Sequence, residues 1–288
     1  MRRNHLYFGH GTTTAEEEAI WLLSHACRVK PIRLIEDSDF PVSSTERMNA
    51  DHLVSERIRT RSPAAYLLKE AWLDGRRFYV DERTIVPRSF IAEVMRGQLQ
   101  PWLGQGKVRR IMDMCTGSGC LAILAARRFP GATVDGVDVS PEALEVAAIN
   151  VRRHRLGDRL KLHQSNLYAT LPRRRYQLII SNPPYVNALS MGQLPDEYRR
   201  EPELALAGGK DGLALVHSIM GTAPDYLDPR GILVVEIGHN RKVLEKAYPK
   251  MPFTWLDTAA GDGFVFLLTC EQLVQGLAIH NKQQQRKG

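Results

Sequence analysis

An asparagine, two prolines and a tyrosine form the most informative motif of the chain. The apolar stretch 179–181 is followed directly by Asn182, Pro183, Pro184 and Tyr185. Two consecutive prolines cannot continue the hydrogen bonding of a strand, so the chain must leave a sheet there. The Asn182 oxygen and the Pro183 carbonyl can accept both hydrogens of an amide or amine whose face stacks on Tyr185. The motif therefore predicts a clamp for a planar nitrogen substrate, and a proline turn with a surface tyrosine is the structural alternative.

A second motif is a glycine-rich loop at residues 112–120, Met-Asp-Met-Cys-Thr-Gly-Ser-Gly-Cys, between a predicted strand and a predicted helix. Gly117 and Gly119 permit a tight turn, and the first amides of the helix suit a polar or anionic ligand group. Asp138 follows Gly119 by 19 positions, at the end of the next predicted strand. A carboxylate there can accept both hydroxyls of a ribose. Together the loop and the carboxylate predict a bound nucleoside.

The loop alone leaves two nucleoside ligands open. Gly117, Gly119 and Ala122 satisfy the G-x-G-x-x-A fingerprint of dinucleotide sites, which would suit a nicotinamide-dependent dehydrogenase. S-adenosylmethionine uses the same sheet edge and carries a cationic sulfonium, and Asp113 ahead of the loop would suit its methionine end. Asp113 could equally cap the following turn.

The secondary structure around these motifs alternates between strands and helices, as in a parallel sheet covered on both faces. We predict strands at 110–115, 133–139, 160–165, 177–181, 232–237, 253–256 and 264–269, and helices at 121–128, 141–154, 213–226 and 241–248. Only a short Gly-Asp-Gly stretch separates the last two strands, so they are expected to pair antiparallel.

The chain is expected to form two domains. Residues 1–96 show apolar residues at spacings of three and four, which indicates a small helical substrate-recognition domain, with a β-hairpin linker at 78–80 and 84–86. Glycines and a proline within 97–107 mark the boundary. Residues 97–276 would form the catalytic domain and 277–288 a polar tail.

Composition excludes several classes of protein. The 288 residues are 43% hydrophobic and 25% charged, which argues against a disordered chain or a coiled coil. No apolar stretch approaches the roughly 20 residues of a membrane span, so we expect a cytoplasmic protein without membrane contact. The four cysteines, Cys27, Cys115, Cys120 and Cys270, lack metal-binding spacing. We expect free thiols and no metal.

The net charge of +7 is unevenly distributed along the chain. A basic stripe is formed by Arg152, Arg153, Arg155, Arg159, Lys161, Arg173, Arg174 and Arg175. Such a stripe can meet phosphate, including ribosomal RNA, or an acidic partner, or it can be a solvated surface.

Over nearly its whole length the chain resembles the family of methyltransferases that modify glutamine side-chain amides. The Asn-Pro-Pro-Tyr motif is shared with amino-methylating enzymes of nucleic acids. Residues 62–67 (Ser-Pro-Ala-Ala-Tyr-Leu) and 86–93 (Val-Pro-Arg-Ser-Phe-Ile-Ala-Glu) are similar to narrower family segments. Residues 7–12, 114–120 and 196–204 look most like the branch that methylates large-subunit ribosomal protein three.

This resemblance implies an α/β fold: a seven-stranded Rossmann-like methyltransferase sheet with its last strand antiparallel and a small N-terminal helical domain. It implies S-adenosylmethionine as the cofactor. The implied cofactor-binding residues are Asp113, Thr116, Gly117, Ser118, Gly119, Asp138, Asn166, Leu167 and Asn182. The glutamine would be received by Asn182, Pro183, Pro184 and Tyr185, with Asn182, Pro183 and Tyr185 catalytic. Asn166 stands where such enzymes commonly have an acid, which removes charge assistance to the adenine amino group.

The expected mechanism is positional. An amide nitrogen is a poor nucleophile, and holding it about 3 to 3.5 Å from the methyl carbon replaces a bimolecular encounter by a near-attack geometry. The partner would be ribosomal protein three, free or within an assembling ribosomal particle. The alternatives are methylation of release factors, amino-methylation of a nucleic-acid base, and a cofactor-binding assembly factor without catalysis.

Overall fold

The computed structural model describes residue 1 and residues 4–37, 39–104 and 107–285. The chain divides into two compact units, of which the first comprises residues 1–88 and 194–202 and the second comprises 89–193 and 203–288. The division thus falls after Arg88, ahead of the predicted boundary at residue 96, and a later segment joins the first unit. Residues 2, 3 and 38 of the predicted helical domain, residues 105 and 106 of the predicted boundary and residues 286–288 of the predicted tail lie outside the described residues.

The first unit is built mainly of helices, as predicted. Its helices are α1 (Ala15–Ala26), α2 (Pro31–Glu36), α3 (Ser44–Thr60) and α4 (Ala64–Leu68). Ser43 and Glu46 form a capping box at the start of α3. Buried Leu22 and Tyr66 belong to the core that these helices share.

The hairpin of the first unit lies earlier than predicted. Strands β1 (Ala71–Leu73) and β2 (Arg76–Phe78) pair antiparallel. Asp74 and Gly75 between them both have positive φ, at 50° and 67°, which is the backbone that a two-residue hairpin turn requires. The prediction at 78–80 and 84–86 was wrong because it followed β-branched residues and overlooked this Asp-Gly turn.

The second unit contains the predicted Rossmann-like sheet of seven strands. They are β3 (Arg110–Met114), β4 (Thr133–Asp138), β5 (Leu160–Gln164), β6 (Tyr176–Ser181), β7 (Leu227–Glu236), β8 (Thr254–Thr258) and β9 (Gly261–Thr269). Their order is β5-β4-β3-β6-β7-β9-β8. The last strand, β9, pairs antiparallel with both β7 and β8, which confirms the predicted fold class.

Helices cover this sheet. They are α5 (Ile91–Val94), α6 (Gln100–Leu103), α7 (Cys120–Arg128), α8 (Pro141–Arg153), α9 (Ala188–Met191), α10 (Ala214–Tyr226), α11 (Arg241–Ala247) and α12 (Cys270–Gln285). Helix α12 occupies most of the predicted polar tail, because Cys270, Leu273 and Leu277 place one apolar face against the core. Among the described residues, no helix is both long enough and apolar enough to cross a membrane.

The strand order defines one special edge of the sheet. β3 is the first strand of the unit in sequence, and it pairs in parallel with β4 on one side and β6 on the other. The chain runs from β3 outward to β4 and β5, and then crosses back to β6 on the other side of β3, so the strand order reverses at β3. The carboxyl end of such a strand opens a crevice in which α/β sheets bind ligands.

Candidate functional site

The loop from β3 to α7 lies at this edge and turns through left-handed backbone. Cys115, Gly117 and Gly119 have φ of 60°, 53° and 77°. A Cβ atom built on Gly117 would meet no atom within 4 Å, so this glycine faces open space. The bare backbone of Gly117 thus leaves room for a ligand to approach closely.

Asp113 organises the turn from a fully buried position. Its Oδ2 accepts hydrogen bonds from Thr116 Oγ1 at 2.6 Å and from the Ala122 amide at 2.9 Å. This is the capping role that the sequence left open. Oδ1 is also buried, and it has no hydrogen-bond partner among the described residues. Burial raises the pKa of Asp113 to about 7 in spite of these two hydrogen bonds, so a cationic ligand group would be a favourable partner for Oδ1.

Asp138 ends β4 and reaches across to the same loop. Its Oδ2 accepts the Gly117 amide at 2.8 Å, and its Oδ1 accepts the Ser140 amide at 3.0 Å. Burial raises the pKa of this carboxyl. Each oxygen retains a second acceptor site, so Asp138 can hold the loop and still accept ribose hydroxyls.

The other predicted cofactor residues lie around this centre. Thr116 and Ser118 are buried, and the Ser118 carbonyl accepts Asn150 Nδ2 at 2.9 Å, which fastens the loop to α8. Asn166 and Leu167 lie on the loop after β5, one strand further out than Asp138. Asn166 is exposed, whereas Leu167 packs partly against the core.

The Asn-Pro-Pro-Tyr motif follows β6, next to β3. Ser181 Oγ donates to the Met114 carbonyl at 2.8 Å and thereby joins the ends of the two strands. Asn182 comes next and is half-buried, like Tyr185, whereas the two prolines between them are buried. The motif and the glycine loop therefore leave the sheet at neighbouring points of one edge.

Three residues that the sequence did not single out hold Tyr185. Its hydroxyl donates to Glu236 Oε1 at 3.4 Å, and its carbonyl accepts Asn240 Nδ2 at 2.8 Å. Gly238 has φ of 54°, and a Cβ there would lie 2.7 Å from Cε2 of the Tyr185 ring. The Glu-Ile-Gly stretch at the end of a predicted strand was a sequence signal for Glu236 and Gly238. Nothing in the sequence pointed to Asn240.

The cysteines near the loop are not poised as nucleophiles. Cys115 and Cys120 are free thiols. Burial raises the pKa of Cys120 to about 12 and that of Cys115 further. Both therefore stay protonated and inert near neutral pH. Within the described part of the chain no three His, Cys, Asp or Glu side chains are grouped so that they could hold a metal ion.

A second polar cluster lies inside the first unit. Glu201 accepts two hydrogen bonds of 2.6 Å from Arg88 and one of 2.8 Å from the Val86 amide. His10 is 2% exposed, its Nε2 lies 3.5 Å from Glu201 Oε2, and its ring centroid lies 4.4 Å from that of Tyr198. His10 is therefore a buried member of this cluster.

Arg57 joins the same cluster to helix α1. Its fully buried guanidinium donates to Glu18 at 2.8 Å, to Glu197 at 3.4 Å and to the Tyr7 carbonyl at 2.9 Å. Glu197 and Glu201 both lie on segment 194–202. Buried ion pairs thus hold that segment within the first unit.

Comparisons with curated proteins and with a family model point to a methyltransferase, and a solved structure shares its fold. A family model described as "Methyltransferase small domain" matches residues 98–194. The chain is 53% identical to the ribosomal protein uL3 glutamine methyltransferase of Bordetella pertussis, covering 92% of this chain and 89% of that protein. It is 49% identical to the protein of the same name from Neisseria gonorrhoeae, covering 93% and 90%. Among solved structures, the hMettl16 catalytic domain in complex with the MAT2A 3'UTR hairpin 6 shares the fold, with a TM-score of 0.51 at 15% identity over 78% of this chain and 80% of that one.

Proposed function

This chain belongs to the family of ribosomal protein uL3 glutamine methyltransferases, and on that premise we propose that it methylates the side-chain nitrogen of a glutamine in uL3, in the cytoplasm. The observation that carries the proposal is the meeting of the Asn-Pro-Pro-Tyr motif with the glycine loop at one edge of the sheet. Family membership argues against the dehydrogenase and the non-catalytic assembly factor that the sequence left open.

S-adenosylmethionine is the methyl donor of this family, and the residues at the sheet edge fit it. The cationic methionine end suits Asp113, whose buried Oδ1 has no partner among the described residues. The ribose hydroxyls suit Asp138, and Gly117 leaves space for the methionine portion. When bound, this cofactor supplies an electrophilic methyl group.

The clamp residues would act on the glutamine amide. The Asn182 oxygen and the Pro183 carbonyl accept its two hydrogens, and the Tyr185 ring faces its nitrogen. As the nitrogen–carbon bond forms and the sulfur–carbon bond breaks, positive charge develops on the nitrogen. Both acceptors and the π-face then bind it more strongly, which lowers the barrier. The proton leaves to water afterwards, so no general base is required.

The proposal is tested with purified protein, labelled S-adenosylmethionine and three substrates: uL3, a release factor and RNA. Label on a glutamine of uL3, located by mass spectrometry, is the expected result. Asn182→Ala should retain binding of uL3 but lower kcat at least tenfold, which corresponds to about 1.4 kcal/mol. Asn187→Ala is the matched control, because the Asn187 side chain caps helix α9. Label on the release factor or RNA alone would overturn the proposal.

Substrate choice is proposed to reside in the first unit. All groups invoked for methyl transfer lie in the second unit, and one glutamine side chain offers too little to discriminate among proteins. Segment 194–202 depends on Arg57 and Arg88 for its fixation, so deleting residues 1–96 would also disturb it. A full-length Glu201→Gln protein is the cleaner test. It should raise KM for uL3 without changing the affinity for S-adenosylmethionine, whereas an unchanged KM would contradict this assignment.

We further propose that the basic stripe contacts ribosomal RNA when uL3 is part of an assembling particle. Some of its members instead have roles within the fold. Arg159 donates to the Ala132 carbonyl at 2.9 Å and the Ala126 carbonyl at 3.0 Å, and Arg175 donates to two other carbonyls. The remaining members are all exposed: Arg152, Arg153, Arg155, Lys161, Arg173 and Arg174.

These exposed residues share one edge of the sheet. They lie at the end of α8 and around the starts of β5 and β6, whereas Asp138 and Asn182 lie at the opposite, carboxyl edge. RNA bound there would leave the catalytic edge free. Replacing Arg152, Arg155 and Lys161 by alanine should flatten the salt dependence of activity on particles, by about one unit of log–log slope per contact, but not on a glutamine peptide. Lys242, Lys246 and Lys250, which are equally exposed, provide the control triple substitution. Equal salt curves for both substrates would overturn the RNA contact.

A further inference from the structure

Glu236 is a buried carboxylate, 2% exposed, at the end of β7 and behind the clamp. Its Oε2 accepts the Ser89 hydroxyl at 2.6 Å and the Phe90 amide at 2.9 Å. Its Oε1 accepts the Tyr185 hydroxyl at 3.4 Å. All three groups donate, which suits an acceptor-only carboxylate.

The two bonds to Oε2 fix the direction of the other oxygen. The Phe90 amide is backbone, and the Phe90 ring packs against Phe264 with centroids 5.3 Å apart, so this side of the carboxylate is anchored. Oε1 is consequently aimed at Tyr185. Gly238 follows two residues later and lies against the ring of the same tyrosine. The short segment 236–238, at the end of β7, therefore sets both the hydroxyl and the ring of Tyr185.

We propose that Glu236 is a positioning residue for methyl transfer and acts through Tyr185. This inference rests on the proposed function, in which the Tyr185 ring faces a nitrogen that gains positive charge. A carboxylate that accepts the phenol hydrogen bond fixes the ring and increases its electron density, which strengthens attraction to a cation. Because the charge exists only during transfer, the effect falls on kcat and not on KM.

The test compares full-length Glu236→Gln, Tyr185→Phe and the double variant, with uL3 as the methyl acceptor. Each single variant should lower kcat about tenfold. The KM values for uL3 and S-adenosylmethionine should change less than about threefold. Both substitutions remove the same interaction, the hydrogen bond between Tyr185 and Glu236. The double variant should therefore be about as slow as the slower single variant.

A matched carboxylate–tyrosine pair in the same unit provides the control. Asp135 is buried and accepts the Tyr176 hydroxyl at 2.8 Å, away from the clamp. Asp135→Asn and Tyr176→Phe should lower the thermal midpoint but leave kcat unchanged. A decrease in kcat equal to that of the clamp variants would assign the effect to general destabilisation and overturn the inference.

Two further outcomes would overturn it. One is wild-type kcat in Tyr185→Phe, a variant that decides the question even if Glu236→Gln does not fold. The other is a double variant whose loss equals the product of the two single losses, which would show that the residues act independently. Wild-type protein that binds S-adenosylmethionine but leaves every glutamine of uL3 unmodified would overturn the proposed function together with this inference, whereas the first two outcomes leave the function standing.

Discussion

Arg88 donates two hydrogen bonds of 2.6 Å to the carboxylate of Glu201, although the two residues stand 113 positions apart in the chain. The side chain of Glu201 is fully buried, and that of Arg88 is 27% exposed. This bidentate pair closes the first unit around segment 194–202. A bidentate ion pair of this kind is stronger than a surface ion pair, because further hydrogen bonds hold both charged groups in place.

Glu201→Gln should therefore destabilise the first unit. The substitution preserves the shape of the side chain but leaves Arg88 without its anionic partner, at a cost of about 2 to 3 kcal/mol. Hydrogen exchange of residues 194–202 under increasing urea measures the change. Glu56→Gln is the control, because the Glu56–Arg59 pair lies at the surface and should contribute far less to stability than the buried pair. Equal changes in the two variants would contradict the prediction.

The same carboxylate should give the first unit a distinct response to acid. Although burial alone would raise it, the charge and hydrogen bonds of Arg88 bring the pKa of Glu201 to about 2, below its ordinary value of 4.5. A depressed pKa contributes stability above pH 4.5 that is lost as the pH falls toward about 2. Unfolding free energies of the wild type should thus fall more steeply over this range than those of Glu201→Gln. Parallel pH profiles would show that Glu201 is not responsible.

Asp138→Ala should weaken binding of S-adenosylmethionine. Loss of charge-assisted hydrogen bonds to the ribose is expected to cost about 1.5 to 3 kcal/mol, measured by calorimetry. Because Asp138 also accepts the Gly117 and Ser140 amides, Asp138→Asn, which keeps one acceptor, should lose less. Glu142→Ala removes an exposed acidic residue nearby and should bind normally. An unchanged affinity in Asp138→Ala would refute the ribose assignment.

Binding of S-adenosylmethionine should release a proton from Asp113. The raised pKa of about 7, against the ordinary 3.8, keeps much of this carboxyl protonated in the free protein near neutral pH. A cationic ligand favours the ionised form, so affinity should increase as the pH rises through about 7. Calorimetry in buffers of different ionisation enthalpy measures the number of protons released on binding. Asp113→Asn should show neither the pH dependence nor the release, and proton uptake by the wild type would contradict the prediction.

The sequence by itself determined the catalytic sheet and the type of its ligand. All seven strands of the second unit overlap their predicted ranges, because strand and helix periodicity are properties of adjacent residues. The glycine loop and the Asn-Pro-Pro-Tyr motif are contiguous, and each follows directly from a strand. Parallel strands bring their carboxyl ends to one edge, so the sequence already placed Asp113, Asp138 and Asn182 at the same edge of the sheet.

Only the tertiary structure decided which distant residues support these motifs. Glu236 and Asn240 hold Tyr185, and Glu201 pairs with Arg88, through contacts that span 51 or more positions. The assignment of segment 194–202 to the first unit and the helical state of residues 277–285 were equally out of reach. The spacing of apolar residues shows which face of a helix or strand is buried. The partner of a buried charge or ring, in contrast, depends on how the whole chain packs. For that reason the sequence predicted candidate residues for binding the ligand, and the fold identified those that hold these candidates in place.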